Sequence, residues 1–314
     1  MVRNEVEQAI SRQSLLWRPV GDSLRILSSR NAVYEFSSRN KPAYTAEPGE
    51  TFVVETKDAF SGRVKTSRTL FEDLDMSDVN PATGPIEIEG LLPGEVLAVS
   101  IDRIECGEKG VLMCSPELGI LSKDVRRSRT KIVRVRGGKV LLGDGLEIDL
   151  NPHVGVIGVS PANGSFPSYY PGDYGGNMDT VEACAGSTVY LPVFVRGAML
   201  AMGDVHAAMG DGEVCGTGVE VPARVTATVS KAEGLDLKRP MIETRTSWLS
   251  YAAAETLDEA ARLATGDLVR FISNMRGIDF EEAYMIASAA ADLRISQVVD
   301  PLMAAKMVIS KRYV

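Results

Sequence analysis

His153 and His206 are the only two imidazoles in the sequence, and both lie among glycines and acids. His153 opens the run HVGVIGVSPANG, while His206 sits in GDVHAAMGDGEVCGTG beside Asp204, Asp211 and Glu213. In an extended strand, residues two apart share a face, so Asp204 and His206 are expected to present carboxylate and imidazole together. Asp211 and Glu213 have the same spacing after a glycine turn. Between the histidines, PGDYGGNMDT offers Asp173, Asn177 and Asp179 as further oxygen donors or hydrogen-bond partners. Imidazole mixed with carboxylate suits zinc or a similar divalent ion, and a catalytic site of that kind keeps one position open for water. The same residues also have a plain reading: a histidine beside glycines can fill a core, and Asp-Gly pairs form turns.

Other catalytic sets are poorly represented. The chain lacks the Gly-x-Ser-x-Gly elbow that presents a triad serine. The segment Gly172 to Gly176 is not followed by the Lys-Ser/Thr of a phosphate loop. Cys184 and Cys215 lie near the acids but within a strand or at its entry, where a buried, inert thiol is the commoner outcome. Met199, Met202 and Met209 read as core filling.

Holding such a set in place requires rigid extended segments, and the sequence is rich in them. From about residue 23 to 229 it consists of short β-branched runs broken by turn residues. Residues 51–56, 96–101, 187–196 and 220–230 read as strands. Lys131 to Arg136 and Lys139 to Leu142 flank Gly137-Gly138, a two-residue connection able to supply the positive φ of a primed hairpin turn. Residues 146–150 alternate apolar and acidic, as a half-exposed strand does. Near residue 250 the character changes. Thr256 to Glu259 has capping-box spacing, Gly277 closes the helix that follows, and Asp279 with Glu282 opens a second over Ala283 to Leu293. The expected fold class is α+β: a β-rich body of sandwich or barrel-like sheets with helices concentrated in the C-terminal part. Residues 1–150 form its β-rich part and 151–314 an α+β part carrying most of the site, together one compact unit. The tail around Met303, Met307 and Val308 is expected to be helical and to pack on the body or form a contact surface.

The bulk properties exclude partners more sharply than they name a function. The 314 residues are 45% hydrophobic and 24% charged, an ordinary globular balance. Lys+Arg 34 against Asp+Glu 42 leaves a net charge of -8, which disfavours broad phosphate neutralisation and hence a nucleic-acid partner. No apolar run approaches the length of a membrane span, so no membrane partner is expected. The charged opening segment, MVRNEVEQAISRQSLLWRPVG, reads as mature cytoplasmic sequence. Four cysteines without a CxxC pair fit a reducing compartment.

Several segments, taken in order, resemble the acetamidase/formamidase family: ETKDAFSG at Glu55 to Gly62, GPIEIEGLLPGEVLAVSI, HVGVIGVSPANG, PGDYGGNMDT, the long run from Gly186 through GDVHAAMGDGEV, and AYMIASAAADLRISQVVD. They run from about residue 50 to the C-terminus, and the GDVHAAMGDGEV block is the most specific. Met209 stands where some members carry Gln. The resemblance implies hydrolysis of a short-chain amide such as formamide or acetamide to ammonia and carboxylate, a bound divalent metal and homo-oligomerisation, with a dimer as the first expectation. On this basis Asp58, His153, Asp204 and His206 are expected to gather around one or two ions, zinc first, with manganese, iron or calcium as alternatives. Glu213 is the preferred general base, with Asp211 or Glu220 as substitutes, and the amides of Gly175 and Gly176 are candidates for steadying the oxyanion. Asp58 could equally be a turn residue, Glu220 an exposed strand residue and the two glycines a tight turn. Alternatives in function are a hydrolase of another small C–N compound, or a non-catalytic small-ligand or metal-binding protein.

Overall fold

Alternation at period two builds the interior. In the strand Val96–Cys106, Leu97, Val99 and Ile101 enter one hydrophobic core while Val96 and Ala98 enter another on the opposite face. Ser187–Pro192 divides in the same way, with Val189 and Leu191 on one side and Tyr190 on the other. A strand buried on both faces must lie in a middle layer, and this computed structural model, which describes residues 24–314, is built in that manner. The N-terminal run read above as mature cytoplasmic sequence lies outside the described residues.

The middle layer is a nine-stranded sheet in the spatial order Arg25–Leu27, Thr51–Thr56, Ala223–Ala232, Val96–Cys106, Ser187–Pro192, Met241–Glu243, Ser247–Ala254, Met303–Ser310 and Ala291–Gln297. On one face it shares the main core with a twelve-stranded sheet. On the other it is covered by the helices Leu257–Arg276 and Phe280–Ala290, through Trp248, Met307 and Ile309 against Leu268, Phe271 and Ala283. Strands from either side of residue 150 sit beside one another in both sheets. The molecule is thus a β-rich α+β fold with its helices late in the chain. Among the described residues, no helix is long and apolar enough to cross a membrane.

Local signals explain the punctuation. Gly137 and Gly138 take φ of 61° and 76° between the antiparallel strands Arg129–Arg136 and Lys139–Gly143. The Thr256 hydroxyl accepts from the Glu259 amide at 3.2 Å, and the Asp279 carboxylate from the Glu282 amide at 2.8 Å, so both helices begin at side-chain caps. Gly277 closes the first helix in the left-handed conformation.

The tail differs from the helical expectation. The second helix stops at Ala290, and Leu293 lies in the strand Ala291–Gln297; Met303, Met307 and Val308 lie in the strand Met303–Ser310. The two strands pair with each other, and Met303–Ser310 also pairs along its whole length with Ser247–Ala254. This long-range pairing overrides the helix propensity of an alanine-rich stretch.

For the site, the decisive part is the centre of the twelve-stranded sheet. There Leu200–His206 lies between His153–Gly158 and Glu220–Val221, both antiparallel to it. The register sets His153 opposite His206, and His206 opposite Glu220. Directly opposed residues project to the same face, so three adjacent strands present two imidazoles and a carboxyl in a row.

Candidate active site

His206 is the hub of this row. Its Nδ1 lies 3.2 Å from His153 Nε2 and 3.9 Å from Asp179 Oδ1. Its Nε2 lies 3.2 Å from Glu220 Oε1 and 3.9 Å from both Asp204 Oδ2 and Glu213 Oε1. Asp204, two residues before His206, faces the same site, as strand spacing leads one to expect. His153 Nδ1 is 3.0 Å from the Asn151 carbonyl, which can only accept; the proton therefore sits on Nδ1 and leaves the Nε2 lone pair facing His206. Burial, reinforced by the neighbouring His206, lowers the pKa of His153 to about 3, so this ring is neutral.

Two glycines fix the His206 ring. A Cβ on Gly155 would stand 2.7 Å from His206 Cε1 and 2.6 Å from Asp179 Oδ1, and one on Gly218 would stand 2.7 Å from His206 Cδ2. Only bare backbone allows the imidazole to be held from both sides. Strain is concentrated at the same place. Asp179, Asp204, Glu213 and Asn80 adopt left-handed φ of 40°, 51°, 45° and 48°. Non-glycine residues persist in that region only where the surroundings over-determine them, which is typical of functional sites.

The acids around the hub are buried and crowded. Asp179, Asp204, Glu213 and Glu220 all belong to the interior. Burial raises each carboxyl, and mutual repulsion adds to it. Asp179 is pushed up to about 7, while Asp204, Glu213, Glu220 and the adjoining Asp300 are raised well above the ordinary carboxylate range. Both oxygens of Asp179, Oδ1 of Asp204 and Oε2 of Glu220 meet no donor. Asn80 donates to Asp204 Oδ2 at 2.8 Å and to Asn177 Oδ1 at 3.2 Å, and Asn177 donates to Asp300 Oδ2 at 2.9 Å, so amides link two acids across the site. Within the cluster two groups, Asp179–His206–Glu213 and Asp204–His206–Glu220, each offer one ligand atom per residue within 4.8 Å of one another. Orphaned buried oxygens beside an imidazole suit a divalent cation, and the donor set fits one.

The remaining sequence-derived candidates are placed differently. Asp58 is buried beside the cluster, and its charge adds to the upward push on Asp204 and Glu220. One of its oxygens caps its own turn, accepting from the Phe60 and Gly62 amides at 3.0 and 2.8 Å. Asp211 is turned away: its Oδ1 is 2.6 Å from Lys306 Nζ, and residues 211–213 lie in a loop rather than in the strand that alternation assumed for the pair. Gly175 and Gly176 are ladder residues between His153–Gly158 and the short strand Pro171–Gly172, and a Cβ there would meet the Ile157 and Tyr170 carbonyls at 2.4 and 2.2 Å. Close strand packing therefore accounts for the glycines at these two positions. Asp173 lies on the surface, 3.5 Å from Arg239. Burial raises the Cys184 and Cys215 thiols, the opposite of what a nucleophilic thiolate needs. Sequence reasoning missed Asn80, Asp300, Gly155, Gly218 and Lys306. An Asn preceding a Pro, and glycines inside β-branched runs, were the available hints for three of them.

A cavity of about 470 Å³ opens onto the acids. Asn80, Asn177, Asp204, Glu213, Glu220 and Asp300 line it, with Glu117 and Thr217 as further polar residues. A second, more open cavity of about 430 Å³ lies behind the segment 213–218; Met209 and Asp211 line this one rather than the first.

Comparison with known proteins agrees with this architecture. Residues 39–169 and 168–311 match the model of the Acetamidase/Formamidase family. The chain is similar to an acetamidase from Bacillus halodurans known by crystal structure, with 39% identity, a TM-score of 0.90, and coverage of 92% of this chain and 98% of that one. Among curated proteins it is similar to the acetamidase of Mycolicibacterium smegmatis, 25% identical over 241 residues, covering 55% of this chain and 59% of the relative. It is also similar to the formamidase of Methylophilus methylotrophus, 24% identical over 241 residues, covering 54% and 56%. The chain thus matches less than two thirds of the length of these curated relatives. The histidine row, both helices and all of the two sheets except their strands before residue 39 fall within the matched residues, and the chain belongs to the acetamidase/formamidase family.

Proposed function

We propose that the chain is a metal-dependent amidohydrolase that cleaves the C–N bond of a short-chain linear amide, with formamide and acetamide the first substrates to test, giving ammonia and a carboxylate. The observation that carries this reading is the group of buried carboxyls around His206, four of whose oxygens, on Asp179, Asp204 and Glu220, lack donors from the chain. Family membership and the names of the relatives supply the substrate class.

His206 with Asp204 and Glu220 on its Nε2 side, and with Asp179 on its Nδ1 side, would hold one or two divalent ions, zinc first by donor type. Such an ion supplies Lewis acidity towards a carbonyl and lowers the pKa of water towards about 7. The chain's own groups do the rest. Glu213 reaches the cavity floor with a carboxyl of raised affinity for protons, which suits it to take a proton from the attacking water and deliver it to the departing nitrogen. That delivery is essential, because an amide anion is a very poor leaving group. His153, neutral and held by the Asn151 carbonyl, keeps the His206 ring in one orientation. Asn80 holds the Asp204 carboxylate, and Gly155 with Gly218 keeps the ring from tilting.

A homo-oligomer, a dimer first, is the expected assembly. In support, Tyr284 and Met285 on the second helix and Leu293 and Ile295 on the adjoining edge strand are exposed apolar side chains. Sedimentation velocity checks this.

The primary test is elemental analysis of the purified protein beside ammonia release from formamide and acetamide, before and after chelation. The expected result is stoichiometric metal, and ammonia release that falls on chelation and returns with added metal. Metal without ammonia would move the reading to another C–N substrate or to binding. Ammonia release indifferent to chelation, from metal-free protein, would overturn the metal-dependent mechanism.

A further inference from the structure

The cavity above the acids is divided by polarity. Its floor carries the carboxyls and amides described above, while one wall is apolar, with Phe60, Phe71, Met76 and Val79 from a single stretch of chain; Leu118 and Tyr169 extend it, and Glu117 and Thr217 are the polar exceptions. Phe71 and Met76 each stand on a short 3-10 turn, Phe71–Asp73 and Met76–Asp78, and Met76 at the rim is 44% exposed. Among the described residues no Lys or Arg lines this cavity, and the acids present would repel an anionic substituent. At about 470 Å³ it falls within the range of roughly 300–1,000 Å³ typical of pockets that enclose drug-sized ligands. Formamide or acetamide held at the floor would leave this wall facing water.

Resting on the amide reading above, we propose that the preferred substrate is a primary amide with an uncharged, apolar acyl group of about four to six carbons, whose chain lies along the Phe60–Phe71–Met76–Val79 wall while its carboxamide meets the acids. The overall reaction is unchanged. One water adds its oxygen to the acyl carbon, the C–N bond breaks, and the –NH2 group leaves as ammonia with one water proton relayed by Glu213, the other water proton remaining with the carboxylic acid product. The added specificity comes from apolar contacts that remove wall and chain from water, which favours the longer substrate at a rate set by the buried methylenes.

The experiment is a kcat/KM series on acetamide, propionamide, butyramide and hexanamide with the full-length protein as purified, repeated for Met76→Asp and Phe71→Ala. The expected result is a rise of about fourfold per methylene, equivalent to ~0.8 kcal/mol each, through butyramide. In both variants the hexanamide-to-acetamide ratio is expected to fall by about tenfold or more, since a lost wall contact removes the benefit of roughly two methylenes. The ratio is independent of how much of each variant folds, and Met76 at the rim tolerates a polar side chain. Hydrolysis of acetamide with a flat or falling series would overturn this inference and leave the amidase reading intact. A rising series that both variants preserve would overturn the assigned wall. Failure of every amide would sink the amidase reading, and this inference with it.

Discussion

Two acidic groups lie a few residues apart along the chain and are neutralised in opposite ways. In the first, Lys306 is 1% exposed and its Nζ meets Glu182 Oε2 at 2.5 Å, Asp211 Oδ1 at 2.6 Å and Thr180 Oγ1 at 3.3 Å. In the second, Asp179, Asp204, Glu213 and Glu220 surround His206 with no lysine or arginine bridging them among the described residues. The same loops serve both, since Asp179 adjoins Thr180 and Glu213 is two residues from Asp211. Burying a carboxylate without a partner costs several kcal/mol, and the usual remedy is an ion pair or a retained proton. The first group has its cation built into the chain and is therefore closed. The second retains raised carboxyls and unsatisfied oxygens at a cavity floor, which leaves it able to exchange protons and accept a cation. Exposure follows the same line: Glu182 and Asp211 are 16% and 38% exposed, whereas the acids around His206 are buried.

The contrast breaks most completely at the hub. His206→Ala removes the residue common to both candidate ligand groups, and the expected result is loss of bound metal and of ammonia release to the assay floor, with the circular dichroism spectrum retained. Full activity in the folded variant would remove His206 from the site. Next in size is Glu213→Gln, which keeps an oxygen at the same place but cannot relay a proton. Turnover is expected to fall by about 10²–10⁴ with metal still bound. Near-normal kcat with metal present would transfer the role to Glu220 or another acid.

The closed group predicts a different kind of damage. Lys306→Met leaves the partly exposed Glu182 and Asp211 without their shared cation, and the expected cost is about 1–3 kcal/mol in denaturant unfolding. An unchanged unfolding midpoint would show that the lysine is dispensable and that the two groups differ less than their geometry suggests. The open group instead predicts a pH dependence for chelated protein. A carboxyl whose folded pKa is raised holds its proton more tightly when folded. Its penalty is absent below the unfolded value near 4, grows as pH rises, and is complete above the folded value. For Asp179, raised from 3.8 to about 7, the loss is on the order of 4 kcal/mol between pH 4 and 8. The melting temperature of chelated protein should therefore drop from pH 5 to 8, and added metal should flatten the curve. A profile that rises with pH after chelation would contradict the raised carboxyls.

How much of this was legible in the sequence depends on how far the partners lie along the chain. His206 and Asp204 could be grouped because strand spacing acts locally, and the helix caps at Thr256 and Asp279 because capping is a three-residue matter. Glu220 gave no such signal: only its register opposite His206 turns an apparently exposed strand residue into a buried one. Asn80 and Asp300 reach the site from loops on opposite sides of the fold, so no window of sequence contains them together with His206. Asp211 and Glu213 misled because an alternation argument presumes a strand, and residues 211–213 lie in a loop. Lys306 stayed hidden because a single lysine within MAAKMVIS reads as the polar face of a helix, whereas pairing on both sides makes that stretch an inner strand.

Asp211 provides the finest test of the boundary between the two groups. Its spacing matches that of Glu213, its loop is shared with it, and only the direction of the side chain assigns it to Lys306. Asp211→Asn preserves the shape and an accepting oxygen, and Glu182 remains as the charged partner of Lys306. The side chain is 38% exposed, so solvent screens much of what the charge contributes. The expected loss is about 1 kcal/mol or less in unfolding, with kcat within about twofold of the parent. Set beside Glu213→Gln, this variant makes the comparison internal: two acids, two residues apart, each losing one charge. If the asparagine slowed turnover by a hundredfold with metal bound and the fold intact, the Lys306 group would be part of the catalytic apparatus, and the line between structural and chemical acids would have to be drawn beyond it.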